Sequence, residues 1–183
     1  MIDFPTILLR LCLALILGAS IGFEREVHEH TAAGFRTNAL VAIGAALFMI
    51  VSAYGFGAFL NTSRTIQVNP AQIASYVVAG IGFLGAGAIF KSQEGDKVRG
   101  LTTAAAIWVV AAIGLACGIG MLSEAVAATI LALIVLIVLH LVEQRLLHRQ
   151  LSTVQHIRIE TSAVTGEFIG EIYNTCARTG ASI

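Results

Sequence analysis

Long apolar runs broken by short polar segments set the pattern of this chain. Five of them, at residues 7–23, 37–57, 72–90, 101–117 and 122–142, carry few or no charges. A helix needs about 17–25 mostly apolar residues to cross the hydrocarbon core of a bilayer, so each run predicts one transmembrane helix. Only residues 118–121 separate the fourth run from the fifth, which forces those two helices into a tight antiparallel hairpin. Lysine and arginine set the expected orientation, because they accumulate in cytoplasmic loops. With the N-terminus outside, the inner segments hold Arg25, Arg36, Lys91, Lys97, Arg99, Arg145, Arg149, Arg158 and Arg178. The outer segments hold only Arg10 and Arg64. An odd number of spans then leaves the C-terminal tail in the cytoplasm. The expected fold is an all-α polytopic membrane protein with five transmembrane helices and its N-terminus outside.

Small residues recur within these runs at helix-contact spacing. Ala14, Gly18 and Gly22 fall four apart in the first, as do Ala112, Ala116 and Gly120 at the end of the fourth. In the third, Ala79, Gly82, Gly85 and Ala88 fall three apart, and Gly80 and Gly87 add to the same glycine-rich run. Small side chains let membrane helices approach closely, so van der Waals packing holds them together where no hydrophobic drive exists. These positions read either as seams inside one bundle or as a homodimer interface, and the spacing alone leaves both open.

The pattern changes after about residue 145, which marks a boundary between a transmembrane domain (1–145) and a tail (146–183). Residues 154–161 have strand-like content with partial alternation. Residues 166–178 read as an amphipathic helix with Phe168, Ile169, Ile172 and Cys176 near one face. One strand and one helix bury too little apolar area to fold alone.

Composition agrees with a lipid solvent. Hydrophobic residues make up 57% of the chain and charged residues 12%, half the roughly 25% of a soluble domain. Mean hydropathy is +0.86. So little charge cannot solvate an ordinary surface, and most of the chain is expected to face membrane lipid. The formal net charge is zero, which gives no electrostatic reason to expect nucleic acid. Cys12, Cys117 and Cys176 are odd in number, far apart and outside any CxxC pattern, so neither a disulfide framework nor a zinc site is expected. The N-terminus has no basic n-region and no obvious cleavage site, so the first apolar run is expected to be retained.

Four blocks carry a family resemblance: GASIGFERE (residues 18–26), AGFRTNALVAIGAALF (33–48), GIGFLGAG (80–87) and VRGLTTAAAIW (98–108). In this order and spacing they resemble the MgtC/SapB family of bacterial membrane proteins, from about residue 8 to residue 142. The resemblance implies a multi-pass protein of the bacterial inner membrane. It also implies a role in adaptation to low magnesium and, in some members, in survival inside host cells. Such proteins are thought to act by binding other membrane proteins, including the proton-translocating ATP synthase, rather than by pumping magnesium. Many carry a cytoplasmic ACT-like domain of β-α-β units, of which the tail here resembles only the first half.

The residues that could carry chemistry gather on the expected cytoplasmic side. Glu24, Arg25 and Glu26 end the first run, Arg36 and Asn38 begin the second, and Arg99, Thr102 and Thr103 begin the fourth. Short connections would bring them together, and Glu24 with Arg25, Arg36 or Arg99 could form a partly buried ion-pair network. Ionisable groups at the edge of a bundle are costly unless paired, which makes them functional candidates beside the plainer reading of structural salt bridges. The same residues fall in the blocks that carry the resemblance. Arg10, inside the outer half of the first run, is expected to snorkel to the interface, with a role in an outward-facing polar cavity as the alternative. The run Glu24, Glu26, His28, Glu29 and His30 has metal-ligand chemistry but reads as a solvated loop. No metal and no cofactor is expected.

No GxSxG, HExxH, Walker or Rossmann signature appears, so an enzyme is not expected. The leading expectation is a regulatory membrane protein that binds a membrane-protein partner, with a homodimer possible. The alternative is a cation transporter or channel gated by the Glu24, Arg25, Arg36 and Arg99 cluster. Against it, no run has a carboxylate at mid-membrane, and ion paths need polar lining.

Overall fold

The computed structural model describes residues 2–29, 33–56, 69, 71–91 and 98–147. The chain separates into two units, Met1–Leu146 and Leu147–Ile183. The strand and helix expected in the tail, and with them the ACT-like half-domain, lie outside the described residues.

Five helices follow the five apolar runs: α1 (Phe4–Glu29), α2 (Phe35–Tyr54), α3 (Ala71–Ala88), α4 (Leu101–Ile119) and α5 (Leu122–Leu147). The first four are each long and apolar enough to cross a membrane, and Leu122–Val138 gives α5 a shorter apolar stretch. The turn between α3 and α4 is not merely polar. It contains a two-stranded antiparallel ladder, β1 (Phe90–Lys91) with β2 (Val98–Arg99), in which Phe90 lies opposite Arg99 and Lys91 opposite Val98.

α1, α2 and α4 pack against one another as the centre of the unit, and α3 lies against α2 and α4. Their shared core contains Ala14 and Ile21 from α1, Ala42 and Ala46 from α2, and Val110, Ile113 and Cys117 from α4. Alanine dominates because the backbones are close. At Gly18 an added Cβ would stand 2.5 Å from Ala42 Cβ and 2.8 Å from the Asn38 carbonyl oxygen. At Gly22 it would meet Gly34 O and Phe35 Cα, both at 2.8 Å. No side chain larger than hydrogen fits at either place, and dispersion between touching backbones replaces the solvent-driven term of a soluble core.

The outward surface carries large apolar side chains, among them Phe4, Phe48, Phe83, Trp108 and Ile134. On a soluble protein such exposure would mark an interface or a liability. Over five apolar helices it is the lipid-facing coat. Two glycines shape the turns. Gly120, with φ 104, ends α4 and donates its N–H to Ala116 O and Cys117 O, both at 3.1 Å. Gly100, with φ 90, starts the same helix, and a Cβ there would overlap the Ala88 carbonyl oxygen.

The observed boundaries change one expectation that matters. α1 does not stop at residue 23 but continues through Glu29, so Glu24 and Arg25 belong to the helix and not to a loop. The sequence of charges masked this continuation, because a polar run after an apolar one looks like a membrane exit.

Candidate functional site

At the end of the bundle where α1 finishes and α2 and α4 begin, four polar side chains are buried: Glu24, Arg25, Asn38 and Thr103. Arg25 is only 2% exposed and is the largest fully buried side chain among the described residues. Isolated charge at such a depth would be prohibitive, so the helices must supply polar partners. One is Thr103, whose hydroxyl accepts a 3.1 Å hydrogen bond from Arg25 Nη2. That bond joins α1 to α4 across 78 residues of sequence. A charge-assisted bond of this kind contributes about 1.5–3 kcal/mol.

Asn38, fully buried, works on a different seam. Its Nδ2 donates to Ala33 O at 2.8 Å and Gly34 O at 2.9 Å, which ties the approach to α2 onto the first turn of that helix. Gly34, the N-cap, has no side chain to offer. The carboxylate of Glu26 takes that role instead, with Oε2 accepting the Phe35 N–H at 2.8 Å. A carboxylate on the free N–H groups of a helix start also lies at the positive end of its dipole. Nothing in the spacing of Glu26 alone pointed to this, because the cap comes from the neighbouring helix.

Glu24 is 8% exposed. One of its oxygens lies 3.6 Å from His28 Nδ1, a turn further along α1. The other, Oε2, is buried and accepts no hydrogen bond, as is Asn38 Oδ1. These two open acceptors do not converge on one ligand. Asn38 packs on the Gly18 and Gly22 face of α1. Glu24 lies two residues beyond Gly22, about 200° around a helix of 3.6 residues per turn. Among the described residues no group of three His, Cys, Asp or Glu side chains is placed to hold a metal ion.

The expected cluster is therefore only partly assembled. Arg25 and Thr103 are in contact, and Glu24 and Asn38 are buried beside the same helix ends. Arg36, Arg99 and Thr102 are exposed and lie on the surface rather than in a buried ion-pair network.

The small-residue positions also divide. Gly18, Gly22 and Gly85 face neighbouring helices, the last with a would-be Cβ 3.5 Å from Ala104 Cβ. Gly80, Gly82 and Gly87 have nothing within 4 Å. In α4, Ala112 is exposed and Ala116 is only partly buried at the edge of the core. The tight α2–α4 seam runs instead through Gly114 and Gly118. There an added Cβ would overlap the carbonyl oxygens of Ala42 and Ala46 and stand 2.8 Å from Ala45 Cβ and 2.7 Å from Met49 Cβ. This pair has GxxxG spacing, a signal present in the sequence two residues away from the alanines singled out.

At the opposite end, Arg10 does not simply snorkel. Its Nη1 donates to Gly118 O at 2.7 Å and to the Tyr54 hydroxyl at 3.2 Å, and its guanidinium lies 5.4 Å from the Tyr54 ring centroid. The Tyr54 hydroxyl in turn donates to Ile119 O at 3.3 Å. Together these groups satisfy the last carbonyls of α4, where a cation also suits the helix dipole. Arg10 and Arg25 are 15 residues apart on one helix, about 22 Å at 1.5 Å per residue. Between the two polar ends the buried cluster is built of Ala, Val, Ile and Cys side chains.

Comparison with known proteins now identifies the lineage. The profile of the MgtC family matches residues 11–145. The chain belongs to the MgtC family. It is 47% identical over 146 residues to "Protein MgtC" of Salmonella typhimurium, a match that covers 80% of this chain and 57% of that protein. It is 49% identical over 117 residues to "Protein MgtC" of Brucella abortus, covering 64% of this chain and 44% of the relative. The chain thus spans about half the length of the curated relatives it matches. No solved structure matches it. The matched region contains the Arg25 end of the bundle, the Tyr54 and Gly118 partners of Arg10, and all of the glycine seams, while Arg10 itself lies one residue before it.

Proposed function

We propose that this protein is a non-catalytic regulatory subunit of the bacterial inner membrane, linked through its family to adaptation to low magnesium and to survival inside host cells. It works by binding another membrane protein, with the proton-translocating ATP synthase as a candidate. In this reading the C-terminal tail is cytoplasmic, and the Arg25 end of the bundle faces the same side.

The observation that carries the proposal is the uncovered face of α3. Only 11% of its apolar window is buried inside the unit, against 50% for α4. Gly82 meets nothing and Phe83 is 83% exposed. A glycine in a helix interior costs about 1 kcal/mol relative to alanine, so glycines that serve no internal contact favour an external one. A partner helix can approach closely there, in the way Gly114 and Gly118 admit α2. The centre of the bundle supports the same reading, since between the Arg10 and Arg25 ends the described core offers a cation hydroxyls such as Ser20, Ser52 and Thr129 but no buried charged side chain.

Affinity capture of the tagged full chain from native membranes, in low and high magnesium, tests the proposal. The wild type is expected to retain a membrane-protein partner that Gly82→Leu loses, while Gly82→Leu still inserts and folds. Equal capture by both would refute the α3 face as the binding surface.

A further inference from the structure

The geometry points to a binding groove for one anionic phospholipid between α1, α4 and α5, distinct from the α3 face. A cavity of about 430 Å³ lies there, lined by residues that include Ile21, Thr102, Ala105, Val109, Ala128 and Leu136. Thr102, Ala105 and Ala128 are exposed, so the groove opens sideways onto the surface that the bilayer covers. It extends along α4 from Thr102 to Val109, seven residues or about 10 Å. Its depth comes from alanine on both walls, Ala105 on α4 and Ala128 on α5. The lining chemistry suits a hydrocarbon chain.

The charge at its mouth selects the headgroup. Thr102 is the second residue of α4, so the groove ends at the start of that helix. Gly100 caps it with no side-chain hydrogen bond. The first-turn N–H groups have no partner within the helix and carry the positive end of its dipole. Arg99, exposed and three residues before Thr102, adds a full positive charge beside them. None of the groove-lining residues is acidic. An apolar trough that ends at an uncapped helix start, with Arg99 in the residue before the cap, matches a lipid whose acyl chain lies in the trough and whose phosphate meets the helix. A zwitterionic headgroup would offset that attraction with its own ammonium. The occupant is therefore an anionic bilayer lipid such as phosphatidylglycerol. Arg99, left outside the buried polar cluster, takes the role of headgroup contact.

Trp108 reports on this site. It is the one tryptophan of the chain, it is exposed to lipid, and it lies on α4 one turn from Ala105. The full chain is reconstituted in vesicles of phosphatidylcholine that contain equal fractions of either brominated phosphatidylglycerol or brominated phosphatidylcholine, and quenching of Trp108 is measured. One cation near an anionic lipid is worth about a fivefold preference. The wild type is thus expected to associate about fivefold more strongly with the brominated phosphatidylglycerol. Arg99→Gln should bring the two lipids to near equality. Ala128→Phe, which fills the trough and leaves the mouth intact, should lower quenching by phosphatidylglycerol, and it tests the site independently if Arg99→Gln disturbs the turn. Equal quenching by the two lipids in the wild type would overturn the inference. So would a preference that survives both substitutions, or a Trp108 shielded from both lipids by a second protein copy.

Discussion

The close approach of α2 and α4 makes a prediction whose sign depends on the structure. Replacing glycine by alanine in a helix interior normally stabilises it by up to about 1 kcal/mol. At Gly114 the new methyl would overlap Ala42 O and stand 2.8 Å from Ala45 Cβ. Carbon atoms in good contact lie about 3.5–4.0 Å apart, so the helices must separate locally by about 0.7–1.2 Å. The main obstacle is a backbone carbonyl, which cannot rotate away as a side chain can. Over-packing of this kind costs about 1–3 kcal/mol. Set against a propensity gain of up to about 1 kcal/mol, Gly114→Ala is expected to lose up to about 2 kcal/mol. Gly82→Ala, with nothing within 4 Å, is expected to be neutral or to gain up to about 1 kcal/mol. Unfolding of the full chain in mixed micelles, followed by circular dichroism as denaturing detergent is added, separates the two. A Gly114→Ala protein that resists unfolding as well as Gly82→Ala would refute the packing described here.

Other substitutions read out the two polar ends. Thr103→Val removes the acceptor of Arg25 Nη2 and should destabilise the bundle by about 1.5–3 kcal/mol in the same titration, while Thr103→Ser should retain most of the stability. Arg10→Met leaves the Gly118 carbonyl without its side-chain donor and should cost about 1–3 kcal/mol, with Tyr54→Phe, which removes the donor to Ile119 O, losing less. Gly100→Ala, at φ 90 and against Ala88 O, should destabilise by more than about 1 kcal/mol, visible as lower thermal resistance of the folded protein. Proteoliposomes that contain only this chain should take up magnesium no faster than empty ones, as a trapped fluorescent indicator would report. Faster uptake would favour the transporter reading.

Hydrophobic runs located the helices because lipid imposes one simple demand, an apolar segment of fixed length. Their ends were less legible. The continuation of α1 through Glu29 was hidden because Glu24 and Arg25 are charged, and only tertiary partners such as Thr103 make their burial tolerable. The same holds for Glu26, whose carboxylate caps a helix that is not its own. Arg36 and Arg99 have the same residue type as Arg25 and lie in similar places along the chain, yet they are exposed. For Arg36 rotational position around α2 decides this, and it depends on which neighbours pack where, whereas Arg99 lies in the β2 strand before α4 begins. Among the small residues, Gly18 and Gly22 were legible as close contacts. The α2–α4 seam was missed by two positions, because Ala112 and Ala116 have the right spacing and the wrong face. The α3–α4 ladder left no signal, since two-residue strands carry too little pattern to read.

A photo-crosslinking side chain placed at residue 83, where Phe83 stands 83% exposed on α3, tests the central claim most directly. Irradiation of native membranes that carry the full chain should yield one discrete adduct with another membrane protein, diminished when Gly82→Leu is combined with it. Adducts with lipid alone would contradict the account.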